Sequence, residues 1–444
     1  MQNSTTAVWT ARVLAWVVLA LCDPAERVWA TTYYVNPEES IQAKIDDPIV
    51  EDGDEIIVAP GRYIENLSYK GKNITLRSTN PKDPNIVATT IIDGGLANSV
   101  VTFNNGEDAN AVLSGFTITQ GWPPFEGGGG IYCEESSPTI SHNIITENYA
   151  IEGAGIACYR ANPLIINNTI LQNVPDCDGG AIFCYNSKAQ ILYNLIKRNS
   201  TVNGEGGGIY GNSISSLAIR GNLIIDNSAE ADGGGIHYIG GGLVKGNTIV
   251  NNSARNGGGI LGSEYTQLLN NILWKNEPND TGGISAIKIW YNLLTDPNQA
   301  GFQGNISSDP LFADTTNGDY HLKSQAGRWD PNIMEWTIDD VTSPCIAAGN
   351  PGEEPNDPTN IRIEMGAYGG TKEESKAPSG WVLLGDLTND WIVDLQDFAA
   401  QQAWQIRETD EQPCDLNRDG LSDLRDLELL ALDWLTQRDL DPGP

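Results

Sequence analysis

Two short motifs recur in step through the middle of the chain, and their shared beat rules out most folds. Glycine-rich tetrapeptides ending in isoleucine fall at Ile131, Ile156, Ile182, Ile209, Ile236 and Ile260, at intervals of 25, 26, 27, 27 and 24 residues. The pattern Asn-x-(Ile/Leu)-x-x-Asn keeps the same spacing, starting at Asn143, Asn168, Asn194, Asn222, Asn247 and Asn271. Between them lie short β-branched runs broken by Gly and Asn, with no helical periodicity, which disfavours helical and leucine-rich solenoids. A coil of about 25 residues made of short strands and turns is one rung of a parallel β-solenoid. Rungs stack about 4.8 Å apart, so equivalent side chains form ladders. The first asparagine of each motif is expected to make one ladder, amide to amide, in a left-handed turn conformation. Cys133, Cys158 and Cys184 stand two residues after successive isoleucines. They are expected as an inward stack of thiols, because parallel side chains at that spacing hold their Cβ atoms too far apart for a disulfide.

With these motifs, residues 31–372 resemble the right-handed parallel β-helix proteins, the fold of pectate lyases and polygalacturonases. The resemblance implies an all-β solenoid, and it is specific for fold rather than activity. The Asn-Thr-Asp and Gly-His-Gly segments of polygalacturonases do not occur, nor does the Arg-x-Pro-x-x-Arg of pectate lyases; "RIE" at Arg362 is only a near miss. The opening strands resemble the first coils of pectin methylesterases without their catalytic segment. A solenoid's raw ends need covering. "NPEESIQAKI", from Asn36, predicts a short capping helix with Asn36 as N-cap and Ile41 and Ile45 on one face. Segments 317–331, 339–351 and 362–371 resemble the closing part of secreted bacterial β-helix proteins.

Acidic residues outnumber basic ones 58 to 26, for a net charge of −32, which excludes the phosphate-neutralising surface of a nucleic-acid binder. Arg12, an apolar run from Val13 to Leu21 and a small residue at Ala30 fit a secretory signal over residues 1–30, too short to span a bilayer. A lipoprotein signal at Cys22 is the weaker alternative, because Leu21 fills a position that wants a small residue. The mature chain is therefore expected to be secreted or held at a cell surface, with no membrane span. The six remaining cysteines show no zinc spacing.

Residues 373–380 are polar and carry Pro and Gly, as a linker would. In residues 381–444, "DLNRDGLSDLRD" places Asp415, Asn417, Asp419, Asp423 and Asp426 at positions 1, 3, 5, 9 and 12 of a calcium loop, with Gly420 at 6 and the Leu421 carbonyl at 7. An earlier copy places Asp386, Thr388, Asp390, Ile392 through its carbonyl, Asp394 and Asp397 in the matching roles. Each copy runs into an apolar helical stretch, and the pair resembles a type I dockerin. That resemblance implies Ca2+ and a cohesin-bearing scaffold as partner. Thr388 and Trp391, at a glycine position, depart from the pattern and predict a weaker or distorted first site. Leu395, Gln396, Leu424 and Arg425 depart from the family's usual Ser-Thr recognition pair.

A dockerin implies that the solenoid acts on polysaccharide. The repeat register singles out one face. One residue after the isoleucines, expected to point outward, come Tyr132, Ala157, Phe183, Tyr210, His237 and Leu261; four residues before them come Gly127, Glu152, Asp178, Glu205, Asp232 and Asn256. Aromatic rings beside a carboxylate column suit sugar binding. Acids on exposed turns beside strand-favouring aromatics would look the same. For β-elimination of a uronate polymer, the register offers Arg198 with Asp226, or His237, as proton acceptor; for glycoside hydrolysis, any two column carboxylates could serve. Three readings follow: a polysaccharide-processing module, a noncatalytic glycan binder, and a structural adhesin.

Overall fold

The computed structural model describes residues 30–125, 127–212, 214–301, 303–405 and 414–436. The expected secretory signal, but for Ala30, lies outside the described residues. Three parallel sheets of eleven, ten and nine strands form the walls of a solenoid. Each rung contributes one strand to each wall: Ile131–Glu134 to the nine-stranded third sheet, Thr139–Ser141 to the eleven-stranded first, and Ile144–Thr146 to the ten-stranded second. Anchoring isoleucines pair in register, as do Cys133, Cys158 and Cys184. All three thiols are free and buried, stacked in the core.

Both asparagines of the motif form ladders, not only the first. Asn143 Nδ2 donates to Asn168 Oδ1 at 3.1 Å, and the chain of bonds runs on through Asn194, Asn222, Asn247 and Asn271 to Asn292. Asn148, Asn173, Asn199, Asn227, Asn252 and Asn276 repeat it one corner later. The left-handed conformation belongs instead to the residue before each ladder position, such as His142 at φ 56°, Asn167 at 55° and Tyr193 at 53°. The preceding residue turns the corner, which leaves the asparagine side chain pointing inward to satisfy main-chain groups of two rungs.

The N-terminal plug is the helix Ile41–Asp46, with Ile41 and Ile45 fully buried. Its cap is Ser40, whose Oγ accepts from Ala43 N, and not Asn36. Glu38, at φ 76°, keeps the segment after Asn36 out of the helix. After the last rungs come the antiparallel pairs Phe312–Asp314 with Asp319–Leu322, which packs Phe312 and Tyr320 against Ile225, Val250 and Trp274 of the second sheet, and Arg328–Asp330 with Glu335–Thr337. The polar segment 373–380 is packed there too: Glu374 and Ser375 are buried, and the Glu374 carboxylate accepts from the backbone of Glu364 and Asn356. Helices Leu395–Gln405 and Leu424–Leu432 follow. Among the described residues, no helix is long and apolar enough to cross a membrane.

Candidate functional site

The outer face of the third sheet carries the expected ladder in the expected register. Tyr132 pairs with Ala157, Ala157 with Phe183, Phe183 with Tyr210, Tyr210 with His237, and His237 with Leu261. Phe183 and Tyr210 stack at 5.1 Å and 4°, and His237 meets the Tyr210 ring edge-on at 5.4 Å. The stripe was expected to be open, yet Phe183 is 3% and His237 4% exposed. The glycine loops explain this. A Cβ on Gly233, at φ 68°, would stand 2.6 Å from His237 Cβ, and one on Gly179 would stand 2.7 Å from Phe183 Cβ. Each left-handed glycine thus lays the acid-bearing loop directly over the outward side chain four residues later.

The acids stack on top of that layer. Gly179 N donates to Glu205 O and Gly206 N to Asp232 O, holding successive loops one rung apart. Asp178 Oδ1 accepts from Glu205 N at 2.8 Å, and Asp232 Oδ1 accepts from Asn256 Nδ2 at 2.8 Å. Glu152 accepts from the Tyr159 hydroxyl. Desolvation pushes the Asp178 carboxyl up, and it pushes Glu205 up with added repulsion from Asp178 and Asp232. The Tyr210 hydroxyl rises to about 12, through burial first and then the neighbouring acids. His237 Nδ1 lies 2.7 Å from Glu205, off the line of an N–H bond, so the ring nitrogen has no aligned partner. Burial lowers the imidazole to about 4, with Asp232 opposing.

Arg198 and Asp226 are not part of this face. They occupy the corner after the second sheet, at φ 54° and 55°, where Arg198 Nε lies 3.7 Å and Lys197 Nζ 3.9 Å from the Asp226 carboxylate. Tyr132 and Tyr210 of the stripe stay partly exposed, and further rings that solvent reaches lie outside the register. Tyr159 and Tyr185 stand three residues after their isoleucines, and Trp122 lies 6.1 Å from Tyr149 at the corner leading into the third sheet, beside the exposed Phe125. The legible signal was "GWPPF", which precedes the first glycine motif and has no counterpart in later rungs.

At the C-terminal end the two expected calcium loops adopt one backbone. Asp390 N and Trp391 N donate to the Asp386 carboxylate as Asp419 N and Gly420 N do to Asp415. Asp397 accepts from Thr388 N and Asp394 N as Asp426 does from Asn417 N and Asp423 N. Trp391 takes φ 73° where Gly420 takes 88°, so the tryptophan adopts the glycine conformation without distorting the loop. Carboxylate oxygens of Asp386, Asp390 and Asp397 lie within 4.8 Å of one another. Burial pushes Asp386 up to about 7, with Arg362 opposing. A hard, oxygen-seeking cation fits that donor set. In the second loop, Arg425 Nη1 instead draws Asp419 to 3.1 Å.

No curated protein and no solved structure matches the chain. Residues 247–349 match the family model described as disaggregatase related, and residues 61–254 match the one described as right handed beta helix region. Residues 61–254 thus match a right-handed β-helix region, and the stacked parallel sheets independently show a parallel β-solenoid.

Proposed function

We propose that this is a secreted protein whose third-sheet face binds and cleaves polysaccharide, with a calcium-dependent dockerin-like module at its C-terminus. The carrying observation is the carboxylate column, in which Asp178 and Glu205 are raised while stacked in register with other acids. Glycoside hydrolysis needs one protonated and one ionised carboxyl group, and rungs about 4.8 Å apart approach the roughly 5 Å spacing of a retaining pair. β-Elimination is less favoured, because Arg198 sits on another corner and His237 is buried with a weakened base. The description "disaggregatase related", matched over residues 247–349, agrees with an agent that separates an aggregate.

For the module, Asp386, Thr388, Asp390, Asp394, Asp397 and the Ile392 carbonyl would hold one Ca2+. Asp415, Asn417, Asp419, Asp423, Asp426 and the Leu421 carbonyl would hold the other. Bound calcium would supply charge that lets the buried acids ionise together. Exposed Leu424, Leu432 and Leu435 leave an apolar surface for a cohesin-bearing scaffold or cell-surface partner.

A second reading, glycan binding without cleavage, is favoured by one fact: Glu152, Asp178 and Asp232 already accept hydrogen bonds within the protein. Release of reducing ends from a panel of plant, algal and microbial polysaccharides separates the two. Cleavage abolished by Glu205→Gln and Asp178→Asn supports the first; retention on affinity gels without cleavage leaves the second; neither cleavage nor retention sinks both.

A further inference from the structure

On the corner between the first and second sheets, far in the rung from the acid column, the closing segment 367–373 runs beside the solenoid and encloses a cleft of about 320 Å3. One wall is Tyr193 with Leu195 and Leu223; the other carries Tyr368, Lys372 and Glu373. Tyr193 is 49% exposed, and its ring lies against the next rung because Gly221 has no side chain. A Cβ there would stand 2.5 Å from two ring carbons. The glycine thus lets the Tyr193 ring lie flat on a corner that carries His142, Asn167, Gly246, Asn270 and Tyr291 in other rungs.

Behind Glu373 stands a buried relay. His321 Nε2 is 3.2 Å from the Glu373 carboxylate and Nδ1 is 2.7 Å from Asp319, whose second oxygen meets Arg328 Nη1 at 3.2 Å. The imidazole stacks on Tyr368 with centroids 3.7 Å apart, so it has no freedom to turn. Burial opposes its charge, but the carboxylates on both sides outweigh this and raise it. An imidazole held between Asp319 and Glu373 in this way orients the Glu373 side chain, which stays 46% exposed at the lip of the cleft.

We infer that this cleft is a second carbohydrate subsite, which takes one neutral or amino sugar ring with Tyr193 against its C–H face and Glu373 accepting from a hydroxyl or ammonium group. The volume suits a single ring. A uronate would meet the Glu373 carboxylate; Lys372 lines the same wall, but the proposed pose sets the ring against Glu373 and so disfavours the acid. The inference rests on the glycan-directed reading above, yet it uses none of the third-sheet residues.

NMR titration of the full chain with the glucosamine disaccharide, cellobiose and digalacturonate tests it. The first two should bind, and Tyr193→Ala and Glu373→Gln should each weaken them about tenfold, the scale of one aromatic or charge-assisted contact. Glu205→Gln, on the third-sheet face, should leave the shift changes at the cleft residues Tyr193 and Glu373 unaltered. Tyr193→Ala truncates a half-exposed ring, so it keeps the test open should Glu373→Gln loosen the closing segment. Binding that survives both cleft variants, a preference for digalacturonate, or no binding of any of the three overturns this subsite, and polymer cleavage then judges the third-sheet reading by itself. Binding lost through Glu205→Gln alone overturns the subsite and leaves that reading standing.

Discussion

A ladder asparagine shows how one side chain holds several main-chain groups. Asn194 Nδ2 donates to Ile165 O at 2.9 Å and to Asn222 Oδ1 at 3.1 Å, while its own Oδ1 accepts from Asn168 N at 2.9 Å. All of these groups are buried, so truncation strands a donor and an acceptor at about 1–3 kcal/mol each. Asn194→Ala should therefore lower stability by about 3 kcal/mol in urea denaturation, whereas the neighbouring half-exposed Tyr193→Ala should cost far less. A second residue-scale expectation concerns His321, faced by Asp319, Glu373, Arg328 and Tyr368. Its folded-state value is raised above the ordinary 6.5. Its contribution is then fully present below that ordinary value and lost as pH rises through the raised one. Melting temperature should fall above neutral pH, and His321→Gln should flatten that slope; an unchanged slope would show that the pair contributes nothing.

Among elements, the glycine loop is the least replaceable. Gly235 is followed across the gap by the next rung's main chain, and a Cβ on it would stand 2.6 Å from Gly259 O. Backbone cannot yield there without breaking the bond from Ile236 N to Gly259 O, at 2.9 Å. Gly235→Ala should cost about 3 kcal/mol or more, the range of steric and backbone effects in a packed core, and should raise hydrogen exchange locally in residues 230–260. The same loop decides what the candidate face presents. It buries His237, so His237→Ala acts mainly as a packing change, and the working chemistry moves to the acids lying above it.

For the whole molecule, the C-terminal module is continuous with the solenoid's end. Arg362 is fully buried against Tyr291, with its guanidinium donating to Ala348 O, Gly349 O and Asp386 O. Asn389 Nδ2 donates to Gly304 O and Ala348 O, and Trp381, Leu387, Val393, Leu416 and Leu430 share one apolar cluster with Leu293 and Ile346. Removing the guanidinium leaves these buried carbonyls without their donor, at about 1–3 kcal/mol for each one stranded. Arg362→Ala should thus expose residues 381–436 to proteolysis, and calcium should protect the same residues in the unmodified chain; equal protease sensitivity with and without calcium would count against metal binding there. The periodic features of this protein are written locally: the rung length, the inward isoleucines and thiols, the asparagine ladders and the paired twelve-residue loops all follow from spacing, because a one-dimensional stack repeats each neighbour's environment. What lies between non-repeating parts is not. The Tyr193 cleft, the seating of Arg362 and the packing of residues 373–380 each depend on segments far apart in the chain meeting at a surface. No local pattern encodes such meetings, and only the folded solenoid and its closing segment bring them about.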